Sequence, residues 1–120
     1  MKQILVVEDD TSIRDMLTDV LEDEGYHVIC AANGCEALVQ LRERQPPPHL
    51  ILLDLMLPHM DGWDFCEEWR RDPHLADIPV VIISASNHIK QRQIPCDIAA
   101  CLAKPFELDR LLDIVERYAR

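Results

Sequence analysis

No apolar stretch of this 120-residue chain is longer than a strand, so none is built to span a bilayer. The amino terminus also lacks the long apolar segment and small-residue cleavage site of a secretory leader, since Met1-Lys2-Gln3 passes straight into a strand-like run. Both absences predict a cytoplasmic protein. Basic charge is scarce: 12 Lys and Arg stand against 22 Asp and Glu, a formal net charge of -10. No Lys/Arg block forms a stripe able to grip nucleic acid phosphates, so direct nucleic acid binding is not expected. Length leaves no room for a second core, and one domain over residues 1–120 is expected. An odd count of five cysteines without a leader argues against a disulfide frame. Cys30 and Cys35, and again Cys96 and Cys101, repeat a five-residue step that could suggest a four-thiolate zinc site. The step is looser than usual, and the sheet order derived below puts Cys30 and Cys101 on opposite edges. The cysteines are read as small hydrophobes instead.

What the chain does have is an alternation, repeated five times, of strand-like and helix-like periodicity, the pattern of a parallel sheet covered on both faces by helices. Strands are expected near 3–8, 27–31, 49–54, 79–84 and 100–103. Ile13, Met16, Leu17, Val20 and Leu21 mark a first helix, with Ser12 as N-cap and Gly25 as the stop. Ala37, Leu38 and Leu41 mark a second, beginning near Gly34-Cys35 and ended by Pro46-Pro47-Pro48. A third follows Pro58 and Asp61-Gly62 and stops before Asp72-Pro73, its aromatics Trp63, Phe65 and Trp69 serving as packing. The fourth is poorly written, a short piece around Ile89-Lys90-Gln91-Arg92-Gln93. The last follows Pro105, with Leu108, Leu111, Leu112 and Val115 on one face. Right-handed crossovers arrange such strands as a single doubly wound (βα)5 domain, an α/β flavodoxin-like sheet in the order 2-1-3-4-5.

In that order the first and third strands are neighbours, and ligands of such sheets sit at the carboxyl ends of the strands. The run Ile4-Leu5-Val6-Val7 ends in Glu8-Asp9-Asp10, and Leu50-Ile51-Leu52-Leu53 ends in Asp54. Two further strands end at Ser84 and Lys104, adding a hydroxyl and a cation to the same edge. Mg2+ wants oxygen ligands at roughly 2.0 to 2.1 Å, which Glu8, Asp9 and Asp54 can supply with the Met56 carbonyl as a neutral one. Crowded carboxylates raise one another's pKa, so a bound metal keeps Asp54 ionised as a nucleophile. Phosphoryl transfer asks mainly for alignment and charge stabilisation, which the metal, the Lys104 ammonium and the Ser84 hydroxyl provide. Taken singly, each acid is a turn residue or cap and Lys104 a solvated lysine. Their joint placement at four strand ends is what those readings explain poorly.

Over essentially its whole length the chain resembles the receiver domains of two-component response regulators. The resemblance rests on Ile4-Leu5-Val6-Val7-Glu8-Asp9-Asp10, on Leu52-Leu53-Asp54-Leu55-Met56-Leu57-Pro58 with Met60-Asp61-Gly62, on Ile83-Ser84-Ala85, and on Lys104-Pro105-Phe106. It implies that Asp54 is the phosphoacceptor, Asp9 a direct metal ligand, Glu8 an acid acting through water, and Met56 the carbonyl ligand. Ser84 matches the switch hydroxyl, Ala85 the small residue giving access to the acceptor, and Lys104 the phosphate partner, with a cis peptide between Lys104 and Pro105. The implied function is a phosphorelay receiver, not a turnover enzyme. It would take a phosphoryl group with Mg2+, or Mn2+ in its place, from a sensor histidine kinase, a phosphotransfer protein or a small donor such as acetyl phosphate. It then switches its interactions with a downstream effector, with a homodimer left open. The chain is either a stand-alone receiver or part of a larger protein.

One departure bears on output. The family's aromatic residue three positions before the lysine is Cys101 here, too small to report phosphorylation by swinging inward. Reordering of residues 85–97, drawn down as Ser84 engages the phosphoryl group, is expected instead. Met56 and Ser86 hold the positions that influence hydrolysis in the family, and neither can act as a base, so a long-lived phosphoryl group is expected. The rival reading is a pseudo-receiver, an interaction module not controlled by phosphate, supported only by Cys101. A phosphohydrolase of the haloacid dehalogenase type would need Asp-x-Asp after the first strand and room for a cap domain, and has neither.

Overall fold

The computed structural model describes residues 2–44, 46–90 and 98–119. Cys96 and residues 91–93 of the expected fourth helix lie outside them. Five parallel strands, β1 (Gln3–Val7), β2 (His27–Ala31), β3 (Leu50–Leu53), β4 (Val80–Ala85) and β5 (Ala100–Lys104), form one sheet in the order β2-β1-β3-β4-β5. The helices between and after them are α1 (Thr11–Asp23), α2 (Gly34–Glu43), α3 (Gly62–Arg71), α4 (Ser86–Ile89) and α5 (Leu108–Tyr118). No helix among the described residues is long and apolar enough to cross a membrane.

Alternation along the strands builds two cores. Leu5, Val7, Ile51, Leu53, Val80 and Ile82 pack against Ala37, Leu38 and Leu41 of α2 and Trp63, Phe65, Cys66 and Trp69 of α3. Ile4, Val6, Leu50, Leu52, Val81 and Ile83 face the other way, onto Leu17 and Leu21 of α1 and Leu111 and Val115 of α5. The central strands are therefore apolar on both faces, which is why they read as unbroken runs. Trp69 is core, as its sequence context predicts, and its indole donates to the Ile78 carbonyl at 3.1 Å.

Three local expectations need correction. The N-cap of α1 is Asp10, not Ser12: its carboxylate accepts from the Ile13 N–H at 3.1 Å, and an anion suits the positive end of the helix. The fourth helix is a single turn that starts earlier than expected, directly at Ser86, with no side-chain cap. Leu108, placed on the apolar face of α5, is the first residue of that helix and 44% exposed. The zinc argument holds for the two thiols that decide it, since Cys30 and Cys101 lie on β2 and β5, the outer strands.

Candidate functional site

Four strand ends carry the site. Glu8 and Asp9 follow β1, Asp54 follows β3, Ser84 lies near the end of β4 and Lys104 closes β5. The ladder aligns them: the Asp54 N–H donates to the Val7 carbonyl at 3.0 Å, and Ala85 is in register with Lys104. Helix caps secure the loops above. Asn33 accepts from the Glu36 N–H at 2.8 Å and Asp61 from the Asp64 N–H at 2.9 Å. The Lys104–Pro105 peptide is cis, as the family resemblance implies.

The side chains converge on Asp54. Ser84 Oγ donates to Asp54 Oδ1 at 2.6 Å, and the Met56 N–H approaches the same oxygen at 3.3 Å. Lys104 Nζ bridges two acids, 3.1 Å from Asp54 Oδ2 and 2.7 Å from Glu8 Oε1. Carboxylate oxygens of Glu8, Asp9 and Asp54 all lie within 4.8 Å of one another. Glu8, Asp54 and Ser84 are buried, whereas Asp9 is exposed. The second oxygen of Glu8, Oε2, is buried and no donor reaches it.

This crowding sets the protonation states. Burial, reinforced by the Asp54 carboxylate and opposed by Lys104, pushes Glu8 up to about 8. Burial works against the charge on Asp54 too, but the protonated Glu8 carboxyl, Ser84 and Lys104 outweigh it and hold Asp54 below its ordinary value. For Lys104 the two carboxylates overcome burial and hold its pKa above that of a free lysine. The pocket thus presents an ionised Asp54 at neutral pH, beside a Glu8 that keeps its proton until a cation displaces it.

The side chains of Glu8, Asp9, Asp54, Ser84 and Lys104 are brought together, and Met56, expected there through its carbonyl, reaches Asp54 with its N–H. Sequence reasoning missed Arg14, whose Nη1 donates to the Glu8 carbonyl at 3.0 Å. The readable signal was that Arg14 is the one basic residue of α1. It also missed how Gly62 allows the loop after β3 to close. The Gly62 N–H donates to the Leu55 carbonyl at 2.8 Å, and a Cβ there would stand 2.6 Å from Leu55 Cα and 2.7 Å from the Asp54 carbonyl oxygen.

Comparison with known proteins agrees with this geometry. The family model for the response regulator receiver domain matches residues 4–116. The DNA-binding dual master transcriptional regulator RpaA of Synechocystis sp. is 38% identical over 122 residues, covering 100% of this chain and 50% of that protein. The alkaline phosphatase synthesis transcriptional regulatory protein SphR of Synechococcus elongatus is 41% identical over 113 residues, covering 87% of this chain and 43% of that protein. The chain thus spans about half the length of these curated relatives, or somewhat less. Among solved structures, the response regulator TrrA of Thermotoga maritima, in complex with Mg2+-BeF, superposes with a TM-score of 0.87 at 30% identity, covering 98% of this chain and 99% of that one. A full-length sequence match, the 2-1-3-4-5 sheet and acids gathered at its carboxyl edge lead to one assignment: the chain belongs to the family of two-component response regulator receiver domains.

Proposed function

We propose that this receiver is switched by transfer of a phosphoryl group to Asp54, with a divalent cation held by Glu8, Asp9 and Asp54. The observation that carries the reading is the state of Asp54: buried, ionised, and bonded by a hydroxyl and an ammonium. The donor set fits a hard dication. Three carboxylates gather where one lysine reaches only two of them, and the orphaned Glu8 Oε2 is a buried acceptor that a cation would satisfy. The Met56 carbonyl is the proposed neutral ligand. Mg2+ is the expected ion, with Mn2+ as a substitute; when bound it supplies charge neutralisation at the phosphoryl oxygens.

The chain's own residues do the rest. Asp54 needs no base, because its carboxylate is already ionised when it attacks phosphorus. An O–P bond forms as the P–N bond of a donor phosphohistidine breaks, the electron pair leaving with the imidazole nitrogen. Lys104 and Ser84, which bond separate oxygens of Asp54 beforehand, exchange those partners for phosphoryl oxygens. Ser84 is followed at once by Ala85 and the single turn of α4, so its movement tugs the segment expected to reorder, of which residues 91–97 lie outside the described part. The proposed donors are a sensor histidine kinase or a phosphotransfer protein. The output is a changed affinity for an effector, without direct nucleic acid contact by this domain.

The test is intact mass after incubation with Mg2+ and acetyl phosphate. Wild type should gain one phosphoryl group; Asp54→Asn and a chelated sample should gain none. The group should persist for minutes or longer, and its loss within seconds would contradict the roles given to Met56 and Ser86. Failure of labelling with acetyl phosphate and with a panel of phosphohistidine donors would favour an interaction module that phosphate does not control.

A further inference from the structure

Asp9 is the least supported member of the acid group. Glu8 is bonded by Lys104 and Asp54 by three donors, but among the described residues no hydrogen bond or ion pair holds the exposed Asp9 carboxylate. Its aim therefore depends on its backbone. That backbone is held by the peptide before it, a rigid plane that includes the Glu8 carbonyl and the Asp9 N–H. The Glu8 N–H donates to the Ala31 carbonyl at the end of β2 at 3.0 Å, and the Glu8 carbonyl accepts from Arg14 at 3.0 Å.

Arg14 directs its guanidinium to backbone. Twenty-two acids are on offer. Yet among the described residues half-buried Arg14 forms no ion pair, and its guanidinium bonds that carbonyl instead. We propose that Arg14 is a positioning residue for the divalent cation: by fixing the Glu8–Asp9 peptide from α1, it makes the Asp9 carboxylate converge with those of Glu8 and Asp54. The inference rests on the acid group being a cation site.

A positioning role and a purely electrostatic one predict opposite signs. A positive side chain near the site repels a dication, so deleting the charge alone should tighten metal binding. Deleting the peptide's anchor should weaken it, as losses of groups that orient metal ligands do, by about tenfold or more. The experiment is isothermal titration of Mn2+ into wild type, Arg14→Met and Arg14→Lys, with urea unfolding of each. Met keeps the packing of the aliphatic stem and removes every donor. Lys keeps the charge and one donating group without the planar fork. We expect Arg14→Met to bind Mn2+ about tenfold more weakly and Arg14→Lys to fall between it and wild type. Labelling by acetyl phosphate should drop at limiting Mg2+ and recover as Mg2+ is raised. Equal or tighter binding by Arg14→Met, with wild type binding normally, overturns the role of Arg14 and leaves the cation site standing. No binding by wild type overturns both. Should Arg14→Met not fold, wild-type affinity in Arg14→Ala, or in Arg14→Lys made beside it, overturns the proposal equally.

Discussion

Lys104 is bonded to two buried carboxylates at once, so its loss exposes how the pocket is balanced. Without metal, Lys104→Ala leaves the ionised Asp54 with no counter-charge. Removing one partner of a buried pair is worth up to roughly 3–5 kcal/mol, and the part exposure of Lys104 brings the expected loss to the order of 2 kcal/mol. Urea unfolding in chelator checks this, and an unchanged midpoint would show that Ser84 and the protonated Glu8 carboxyl suffice to hold the Asp54 charge. Ser84→Ala acts differently. It removes the 2.6 Å donor to Asp54 Oδ1 and leaves only the longer contact from the Met56 N–H. Asp54 stays ionised through Lys104, so labelling by acetyl phosphate should persist at a rate lower by about tenfold, a modest loss for one stabilising donor. Ser84→Thr should retain most of it. A Ser84→Ala protein labelled at the wild-type rate would remove the hydroxyl from the chemistry and leave it only a switching role.

Two glycines separate conformation from space at the level of the elements. Gly25 ends α1 with φ at +92°, and a Cβ added there would meet nothing within 4 Å, so Gly25→Ala should cost only the left-handed backbone penalty of about 1 kcal/mol. At Gly62 a Cβ would meet backbone atoms of Leu55 and Asp54, which cannot rotate away. Gly62→Ala must push α3 off the end of β3, costing about 1–3 kcal/mol and disturbing the loop that carries Met56. Denaturant midpoints of the two variants, with Mn2+ affinity reduced only for Gly62→Ala, would confirm the distinction. Four of the five strands were legible because each apolar run is closed by a chemically loud residue, and Glu8, Asp54, Ser84 and Lys104 lie where those runs stop. What was illegible depended on neighbours. Asp10 and Ser12 are both good caps, and only the point where the chain leaves β1 decides for Asp10. Leu108 fits the spacing of the α5 stripe but falls at its end, where the helix begins. Arg14 carries no motif; its role follows from a contact to a carbonyl six residues away, which periodicity cannot register.

The molecule as a whole carries a formal net charge of -10, and part of that excess is gathered where folding must bury it. The Glu8 carboxyl titrates at an ordinary 4.5 when free and at about 8 in the fold. Between those values the unfolded chain has released the proton that the folded chain retains, so the folded state binds more protons and stability falls as pH rises. Metal-free protein should therefore lose stability from about pH 5 to pH 8 through this residue, and Glu8→Gln should flatten that slope while leaving Lys104 paired with Asp54. Adding a divalent cation reverses the balance. The cation competes with the proton on Glu8, so its affinity should climb with pH through the same window, with proton release on binding. At a concentration a hundredfold above its dissociation constant it should stabilise the fold by about 2.7 kcal/mol. Thermal unfolding at pH 5.5 and pH 8, each with chelator and with Mg2+, tests both signs together. The Mg2+-induced rise in Tm should be larger at pH 8 than at pH 5.5, and the chelated protein should melt earlier at pH 8. A Mg2+ effect independent of pH would mean that Glu8 is ionised in the metal-free fold, its burial offset by Lys104 more fully than the geometry of the pocket indicates.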